Sequence, residues 1–170
     1  MRELLGPGHR VPLTYLLILR LFFGAAFVGQ SLSKHREGWL SRPVAVAQPT
    51  ARPILATILD QFAHANPYPL YKRFLLTVVI PRTGAFRYLV VLGEMLIGLS
   101  LLTGTLTRLG AFFGIFANVN YALMKGLRPR ESLVDAAFIA GQLVILLANP
   151  GRVLGVDSLL SARWPRGPLW

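Results

Sequence analysis

The sequence predicts an all-α integral membrane domain, a bundle of four transmembrane helices with short interfacial helices in the loop between the first two spans. Of its 170 residues, 54% are hydrophobic and only 15% are charged. A soluble domain of this size would need a more polar surface. Four segments approach the roughly 20 apolar residues that a helix needs to cross a bilayer. A chain of this length is expected to form a single domain, residues 1–170.

The first span is predicted over residues 12–32, PLTYLLILRLFFGAAFVGQSL, and basic residues follow it directly. A small–x–small triplet at 45–47 has the form of a signal-peptidase site. The charged stretch between the apolar run and this triplet is too long for a cleavage region. We therefore expect the first span to be retained in the membrane.

The long loop, residues 33–85, contains two segments that we predict to be short helices. Residues 53–65 have apolar side chains at helical spacing, which predicts an amphipathic helix. The residues with this spacing are Ile54, Ile58, Phe62 and Ala65. Residues 70–80 are apolar but too short to span a bilayer, so we expect an interfacial or re-entrant helix. Ordinary packing of both helices on the bundle is the alternative.

The other three spans are predicted over residues 86–106, 110–125 and 132–149. Only a few residues separate the second span from the third, which predicts a tight helical hairpin. An Asn-Pro-Gly sequence at 149–151 ends the fourth span. Four spans place both termini on the same side of the membrane.

The formal net charge of +11 is concentrated at the ends of the apolar runs. Basic residues in these positions anchor spans and contact anionic headgroups, so the expected partner is the lipid bilayer and not nucleic acid. Counting Lys and Arg favours a cytoplasmic long loop, although a loop of about 50 residues lies near the limit of that rule.

The residue inventory argues against a redox centre held by this chain. There are no cysteines, which excludes disulfides, iron–sulfur clusters and thiol chemistry. The three histidines lie outside the strongest apolar runs and have no ligand spacing. We expect no bound metal or haem, so a diffusible cofactor or a partner subunit would have to carry any electrons.

Two ionisable residues lie inside predicted spans, Arg20 in the first and Glu94 in the second. A helical rise of about 1.5 Å per residue places them roughly 12 and 17 Å from the terminal side, with Asn118 at roughly 15 Å. An isolated charge at the bilayer centre costs about 2.5–3.5 kcal/mol. We therefore predict that Arg20 pairs with Glu94 and that Asn118 adds hydrogen bonds.

A second polar layer lies nearer the other side of the membrane. Its members are Gln30, Lys34, Asn120, Tyr121, Lys125 and Asp135. We interpret the two lysines mainly as snorkelling to the headgroups. Gly24 and Gly98 each follow a buried charge by four residues, and we interpret them as sites of close helix packing.

Four separated motifs resemble the DoxX/DoxD family of small four-helix membrane proteins. They are Arg20-x-x-x-Gly24 with Gly29 and Lys34, Gly93-Glu94-x-x-x-Gly98 followed by Thr103-Gly104-x-x-Thr107-Arg108, NPYPLYKRFLLTVVIP at 66–81, and Gly151-Arg152-x-Leu154-Gly155-x-Asp157-x-Leu159-Leu160. The resemblance covers nearly the whole chain and is weakest over 36–52.

DoxD is the membrane subunit of a thiosulfate:quinone oxidoreductase, which passes electrons from thiosulfate to the quinone pool. The resemblance therefore implies quinone as the cofactor and a second redox subunit as the partner. It also implies a multi-pass protein of the prokaryotic cytoplasmic membrane with cytoplasmic termini, against the charge count.

The first functional hypothesis is a quinone-reactive subunit of such an oxidoreductase. Burial favours the neutral form of a carboxyl group, so a buried carboxyl group can exchange protons near neutral pH. Glu94 would handle protons with Arg20 as its electrostatic partner, and these two are the candidate catalytic residues. The candidate quinone-binding residues are Asn118, Tyr121, Arg108 and Lys34.

Two alternatives remain at this point. In the first, the protein is a non-catalytic membrane scaffold or adaptor, and the buried Arg–Glu pair only fixes the register of the helices. In the second, it is a small transporter that uses the polar layer as a pathway. Four spans are few for a transporter, so that hypothesis requires a homo-oligomer.

Overall fold

A computed structural model describes residues 15–40, 54–152 and 154–164, and all regular structure in these ranges is helical. The helices are α1 (Tyr15–Arg36), α2 (Ile54–His64), α3 (Pro69–Phe74), α4 (Thr83–Thr103), α5 (Thr107–Met124), α6 (Pro129–Ala148) and α7 (Val156–Arg163). The prediction of an all-α fold is confirmed for the part of the chain that the structure describes.

Within these ranges, three helical runs are long and apolar enough to cross a membrane. They are α1, the continuous run Pro69–Thr103 and α6. Helix α5 corresponds to the predicted third span, but Arg108 and the two asparagines Asn118 and Asn120 reduce its apolar character. It packs mainly against α6 and also against α4, while α4 packs along α1.

The second membrane-spanning run is longer than predicted, because α3 leads into α4 without a break in the helix. A π-helical turn (Leu75–Val79) and a 3₁₀ turn (Ile80–Arg82) join the two helices. Pro81 has no N–H group to donate to the carbonyl four residues earlier, which accounts for the altered hydrogen bonding here. Residues 70–80 are therefore helical, as predicted, but they continue into α4 and do not form a separate helix.

Other predicted boundaries also shift. Helix α1 continues to Arg36, so Lys34 lies in a helix and not in the loop. The hairpin turn begins at Gly104, whose φ of 69° suits glycine, and ends at Leu106. Residues 12–14 of the predicted first span and residues 41–53 of the predicted loop lie outside the described residues.

Helix α2 is confirmed, but its buried face lies one residue away from the predicted one. Leu55, Leu59 and Ala63 are buried, whereas Ile58 and Phe62 are only half-buried. The buried residues pack against Leu75 and Val79 of the π-helical turn and form a small second core, which Met124 of α5 also contacts. Helix α2 thus packs on the bundle, at the end where α1 and α5 finish.

The main core is an apolar layer in the middle of the bundle. Helices α1, α4, α5 and α6 all contribute to it. Its buried members are Phe23, Phe27, Ile97, Leu101, Ala111 and Ile145. This layer separates two polar clusters, one at each end of the bundle. We call the end with Lys34 and Lys125 the loop end, and the end with Arg20 and Asp157 the terminal end.

The antiparallel contact between α1 and α4 depends on glycine. A Cβ atom on Gly98 would lie 2.8 Å from the carbonyl oxygen of Gly24. A Cβ atom on Gly24 would lie 2.9 Å from the backbone nitrogen of Leu102. The two glycines therefore let the helix backbones approach closely, as the sequence predicts.

We expect Gly98→Ala to lower the free energy of unfolding by about 1–3 kcal/mol, since the new methyl group overpacks a backbone contact. Gly93→Ala in the same helix is the matched control, because no atom lies within 4 Å of its Cβ position. That change should have little effect or stabilise the helix slightly. Unfolding of both variants in mixed micelles tests this, and equal effects would contradict the close contact.

Candidate functional site

The most buried acidic group of the membrane-spanning helices, Glu94, is held by two partners from neighbouring helices. Its side chain is 1% exposed. Lys34 Nζ of α1 donates hydrogen bonds to Oε1 at 2.5 Å and to Oε2 at 2.6 Å. The Tyr121 hydroxyl of α5 donates to Oε1 at 2.7 Å. We call Lys34, Glu94 and Tyr121 the carboxylate cluster.

Helix direction explains why Lys34 reaches Glu94. Helices α1 and α4 are antiparallel, and the hydroxyl of Ser31 donates to the carbonyl of Val91 at 2.8 Å across their interface. Side chains lean toward the N-terminus of their own helix. Lys34 therefore leans into the bundle, while Glu94 leans toward the loop end, and the two side chains converge.

The predicted pair between Arg20 and Glu94 is wrong. Gly24 and Gly98 lie at the same level of the bundle. Arg20 lies one turn from this level toward the terminal end and Glu94 lies one turn toward the loop end, so the two residues are about 12 Å apart along the helix axis. The Arg20 side chain also leans the opposite way, toward the start of α1. It is buried and donates from Nη1 to the carbonyl of Leu154.

At the terminal end, a carboxylate that sequence reasoning did not select as a site residue holds the hairpin. Asp157 is fully buried and accepts hydrogen bonds from the N–H groups of Leu106 at 2.6 Å and Thr107 at 2.8 Å. Its own N–H group donates to the carbonyl of Gly104 at 2.8 Å. Asp157 also attracts the guanidinium group of Arg20. We call Arg20, Gly104, Leu106, Thr107, Leu154 and Asp157 the terminal cluster.

The terminal cluster unites three of the sequence motifs. The first motif supplies Arg20, the hairpin motif supplies Gly104 and Thr107, and the C-terminal motif supplies Leu154 and Asp157. The position of Asp157 within the C-terminal motif was the available signal for its role. The arrangement is that of a structural cap on the N-terminus of α5.

A second lysine–carboxylate pair lies at the loop end. Lys125 Nζ donates to Asp135 Oδ2 at 2.7 Å, and the Asp135 side chain is buried. Both Lys34 and Lys125 therefore end on carboxylates of the bundle. The interpretation of these lysines as snorkelling to headgroups is wrong.

The loop end is partly covered by α2, α3 and the turn after α1. The Trp39 ring lies 5.6 Å from Lys34 Nζ, as does the Tyr121 ring, which is a favourable cation–π geometry. Asn66 Nδ2 donates to the carbonyl of Leu123 at 2.9 Å, and the Tyr71 hydroxyl donates to the carbonyl of Asn120 at 3.0 Å. The segment around α3 is thus attached to the last turns of α5.

The remaining predicted site residues lie at different levels. Asn118 is buried one turn from Tyr121, and its Nδ2 donates to the carbonyl of Gly114 at 2.9 Å. Arg108 lies about 20 Å from Tyr121 along α5. Its Nε donates weakly to the carbonyl of Leu146 at 3.4 Å. The structure therefore places Lys34 and Tyr121 on Glu94, Asn118 nearby, and Arg108 and Arg20 at the terminal end.

A shallow apolar groove lies on the outer face of α4 at the level of Glu94. Tyr88, Leu92 and Gly93 are among the residues that line it, and its surface is almost wholly apolar. Because Gly93 has no side chain, the helix backbone forms part of the groove floor.

The carboxylate cluster places an ion pair inside an apolar bundle. Lys34 compensates the charge of Glu94, and its side chain remains 17% exposed, so it connects the buried carboxylate with the loop end. The Tyr121 hydroxyl can both donate and accept a hydrogen bond, so it suits either protonation state of Glu94.

Comparison with known proteins agrees with the motifs. A family model described as "TQO small subunit DoxD" matches residues 15–166, where TQO denotes thiosulfate:quinone oxidoreductase. No curated protein and no solved structure matches the chain. The matched range includes the carboxylate cluster, the terminal cluster and every described helix. The chain therefore belongs to the DoxD family of membrane proteins, small subunits of thiosulfate:quinone oxidoreductase according to the description of the family model.

Proposed function

We propose that this protein is the quinone-reactive membrane subunit of a thiosulfate:quinone oxidoreductase complex, and that Glu94 handles the protons of quinone reduction. The observation that carries this proposal is a fully enclosed carboxylate bonded to a lysine and a tyrosine within apolar helices. Intramembrane ionisable residues mark functional sites by default.

The chain's own residues divide the work between them. A bound quinone accepts two electrons and two protons to become quinol, and thiosulfate supplies the electrons through a second redox subunit. Lys34 brings protons from the loop end to Glu94, and Glu94 passes them toward the substrate. Tyr121 orients the carboxyl group through its hydrogen bond to Oε1.

The residues present fit a quinone in two respects. The apolar groove beside Gly93 opens to the membrane at the level of Glu94 and suits an apolar tail. Lys34 and Tyr121 are hydrogen-bond donors of the kind that bind a quinone carbonyl. Arg20 has a different role in this proposal, since it stabilises the terminal cluster and does not take part in proton transfer.

The proposal includes four transmembrane spans, with α5 as the third. Its 18 residues extend about 27 Å, close to the roughly 30 Å of the hydrocarbon core. Its packing against α4 and α6 supports a place within the bundle. Both termini then lie on one side, which we propose to be the cytoplasmic side of a prokaryotic cytoplasmic membrane.

Thiosulfate-dependent reduction of a short-chain quinone by the purified chain and its partner subunit tests this function. We expect Glu94→Gln to lower turnover per folded molecule about a hundredfold, within the range for removing a general acid–base group. Glu131→Gln is the matched control, since Glu131 forms only an exposed pair with Arg128. A Glu94→Gln variant with full turnover would contradict the proposed role, and an inactive wild-type complex would contradict the function.

The scaffold hypothesis remains a second candidate because of one observation. The hydrogen bonds that Glu94 accepts come from the chain's own Lys34 and Tyr121, as in a structural ion pair. In that case a variant that removes both charges should retain full activity.

A further inference from the structure

The interface between α5 and α6 contains a buried amide without a partner. Gln142 is fully buried, and neither its Oε1 nor its Nε2 has a hydrogen-bond partner within the part of the chain that the structure describes. The amide lies against Gly114, where any Cβ atom would collide with it. Unpaired polar atoms within a membrane cost several kcal/mol, so a polar ligand such as water would stabilise this amide.

Polar groups continue from this amide to the carboxylate cluster. Asn118 lies one turn after Gly114, about 6 Å along the axis, and Tyr121 lies about 4.5 Å further. A water molecule with two hydrogen bonds of about 2.8 Å spans about 5.6 Å between its partners. These axial offsets are of the length that one bridging water molecule spans, from the level of Gln142 to that of Asn118 and from there to that of Tyr121.

On the terminal side of Gln142, the interface between α5 and α6 is apolar. Ala111 of α5 and Ile145 of α6 lie next to the Gln142 level on the terminal side, and both are fully buried in the main core. This layer separates Gln142 from the polar groups of the terminal cluster. The polar part of the interface is thus a branch of the carboxylate cluster, on the loop-end side of the apolar layer.

We propose that this branch is a water-binding site, in which Gln142, Asn118 and Tyr121 hold at least two water molecules. Its role rests on the proposed function. When Glu94 takes up a proton it no longer requires the Tyr121 hydroxyl as a donor and can itself donate to the phenol oxygen. The bound water then accepts the Tyr121 O–H, so no buried hydroxyl group is left unpaired. Gln142 is a positioning residue that acts through this water.

Because the chain has no cysteine, a single introduced thiol can report water directly. Silver ion is a probe of about the size of water, and it reacts with thiols only where water reaches them. Silver would be added to either side of vesicles that contain the oriented full-length chain. Thiols that remain free would be measured after denaturation by the gel shift of a maleimide polymer.

We expect silver to block Gln142→Cys at least about tenfold faster than Ile145→Cys, because a thiol in an apolar, dry site stays protonated and inaccessible. Ile145 is the matched control, since it lies one turn away and is equally buried. Blocking should be fast only from the side of the loop end. Equal rates for the two variants, or fast blocking only from the terminal end, would overturn the proposal. If Gln142→Cys does not fold, Asn118→Cys decides between the same outcomes.

The role of the water has a separate readout. We expect Gln142→Leu to lower kcat for quinone reduction about tenfold and to leave KM for quinone unchanged, as for loss of one hydrogen-bonding partner in proton transfer. An unchanged kcat in the folded variant would overturn this role. If the wild-type complex reduces no quinone while silver still reaches Gln142→Cys, the proposed function fails and the water site stands.

Discussion

Glu94→Gln is expected to lower the free energy of unfolding by about 3 kcal/mol, since removal of one partner of a buried ion pair leaves the other charge uncompensated. The remaining charge is that of Lys34, which would lie in an apolar bundle beside Tyr121. Its partial exposure at the loop end keeps the loss at the lower end of the range for buried pairs. Unfolding of the variant in mixed micelles measures the effect.

A second substitution separates the charge effect from a general loss of packing. Lys34→Met removes the other charge and keeps an unbranched side chain of similar length. We expect the double variant Glu94→Gln/Lys34→Met to recover most of the lost stability, because an ion pair exchanged for neutral groups is often close to neutral in free energy. A double variant with the sum of the two single losses would show that the pair is not coupled.

Asp157→Ala is expected to have an effect of similar size, about 3 kcal/mol, at the other end of the molecule. The change leaves the N–H groups of Leu106 and Thr107 without their acceptor, and hydrogen bonds to a charged group contribute about 1.5–3 kcal/mol each. It also removes the carboxylate that attracts Arg20. Hydrogen exchange should accelerate at the amides of Leu106 and Thr107. Unfolding of the variant in mixed micelles measures the loss of stability.

Two milder changes serve as controls for this prediction. Asp157→Asn keeps one acceptor oxygen, so its effect should be about half as large. Ser158→Ala, at the neighbouring residue of α7, removes only a local bond to the carbonyl of Gly155 and should cost less than about 1 kcal/mol. If Asp157→Ala left exchange at Leu106 and Thr107 unchanged, the assignment of Asp157 as the cap of α5 would be wrong.

Hydrophobic patterning predicts the helices of this chain well, because apolar runs of about 20 residues have few alternatives to a membrane helix. It does not predict how the helices pair. The estimated depths of Arg20 and Glu94 differ by only about 5 Å when each is counted from its own predicted span end. The observed register depends on the glycine contact between Gly24 and Gly98, which places the two charges at different levels.

The direction of the side chains accounts for the rest of the difference at the site. Lys34 and Arg20 are both basic residues of α1, and composition alone cannot choose between them as partners of Glu94. Side chains lean toward the N-terminus of their helix, so in an antiparallel pair only Lys34 leans toward Glu94. Lys34 was therefore identifiable as the partner of Glu94 only once the register of α1 against α4 was known.

The remaining differences from the predicted structure concern α2, residues 70–80 and Asp157. The buried face of α2 differs from the predicted one by a single residue, since both Leu55 and Ile58 belong to plausible apolar stripes and only tertiary packing selects one. Residues 70–80 are too short to span a membrane alone, but the helix continues through Pro81 into α4. The role of Asp157 depends on contact between segments about 50 residues apart, so hydrophobic patterning does not reveal it, although its position in the C-terminal motif marks the residue.

The central claim is that the carboxylate cluster serves proton transfer and not only stability. The turnover of the double variant Glu94→Gln/Lys34→Met, per folded molecule in complex with the partner subunit, tests it most directly. We predict a stable protein whose thiosulfate-dependent quinone reduction is about a hundredfold slower than that of the wild type. A stable double variant with wild-type turnover would contradict a role of the carboxylate cluster in proton transfer and support a structural role for the pair.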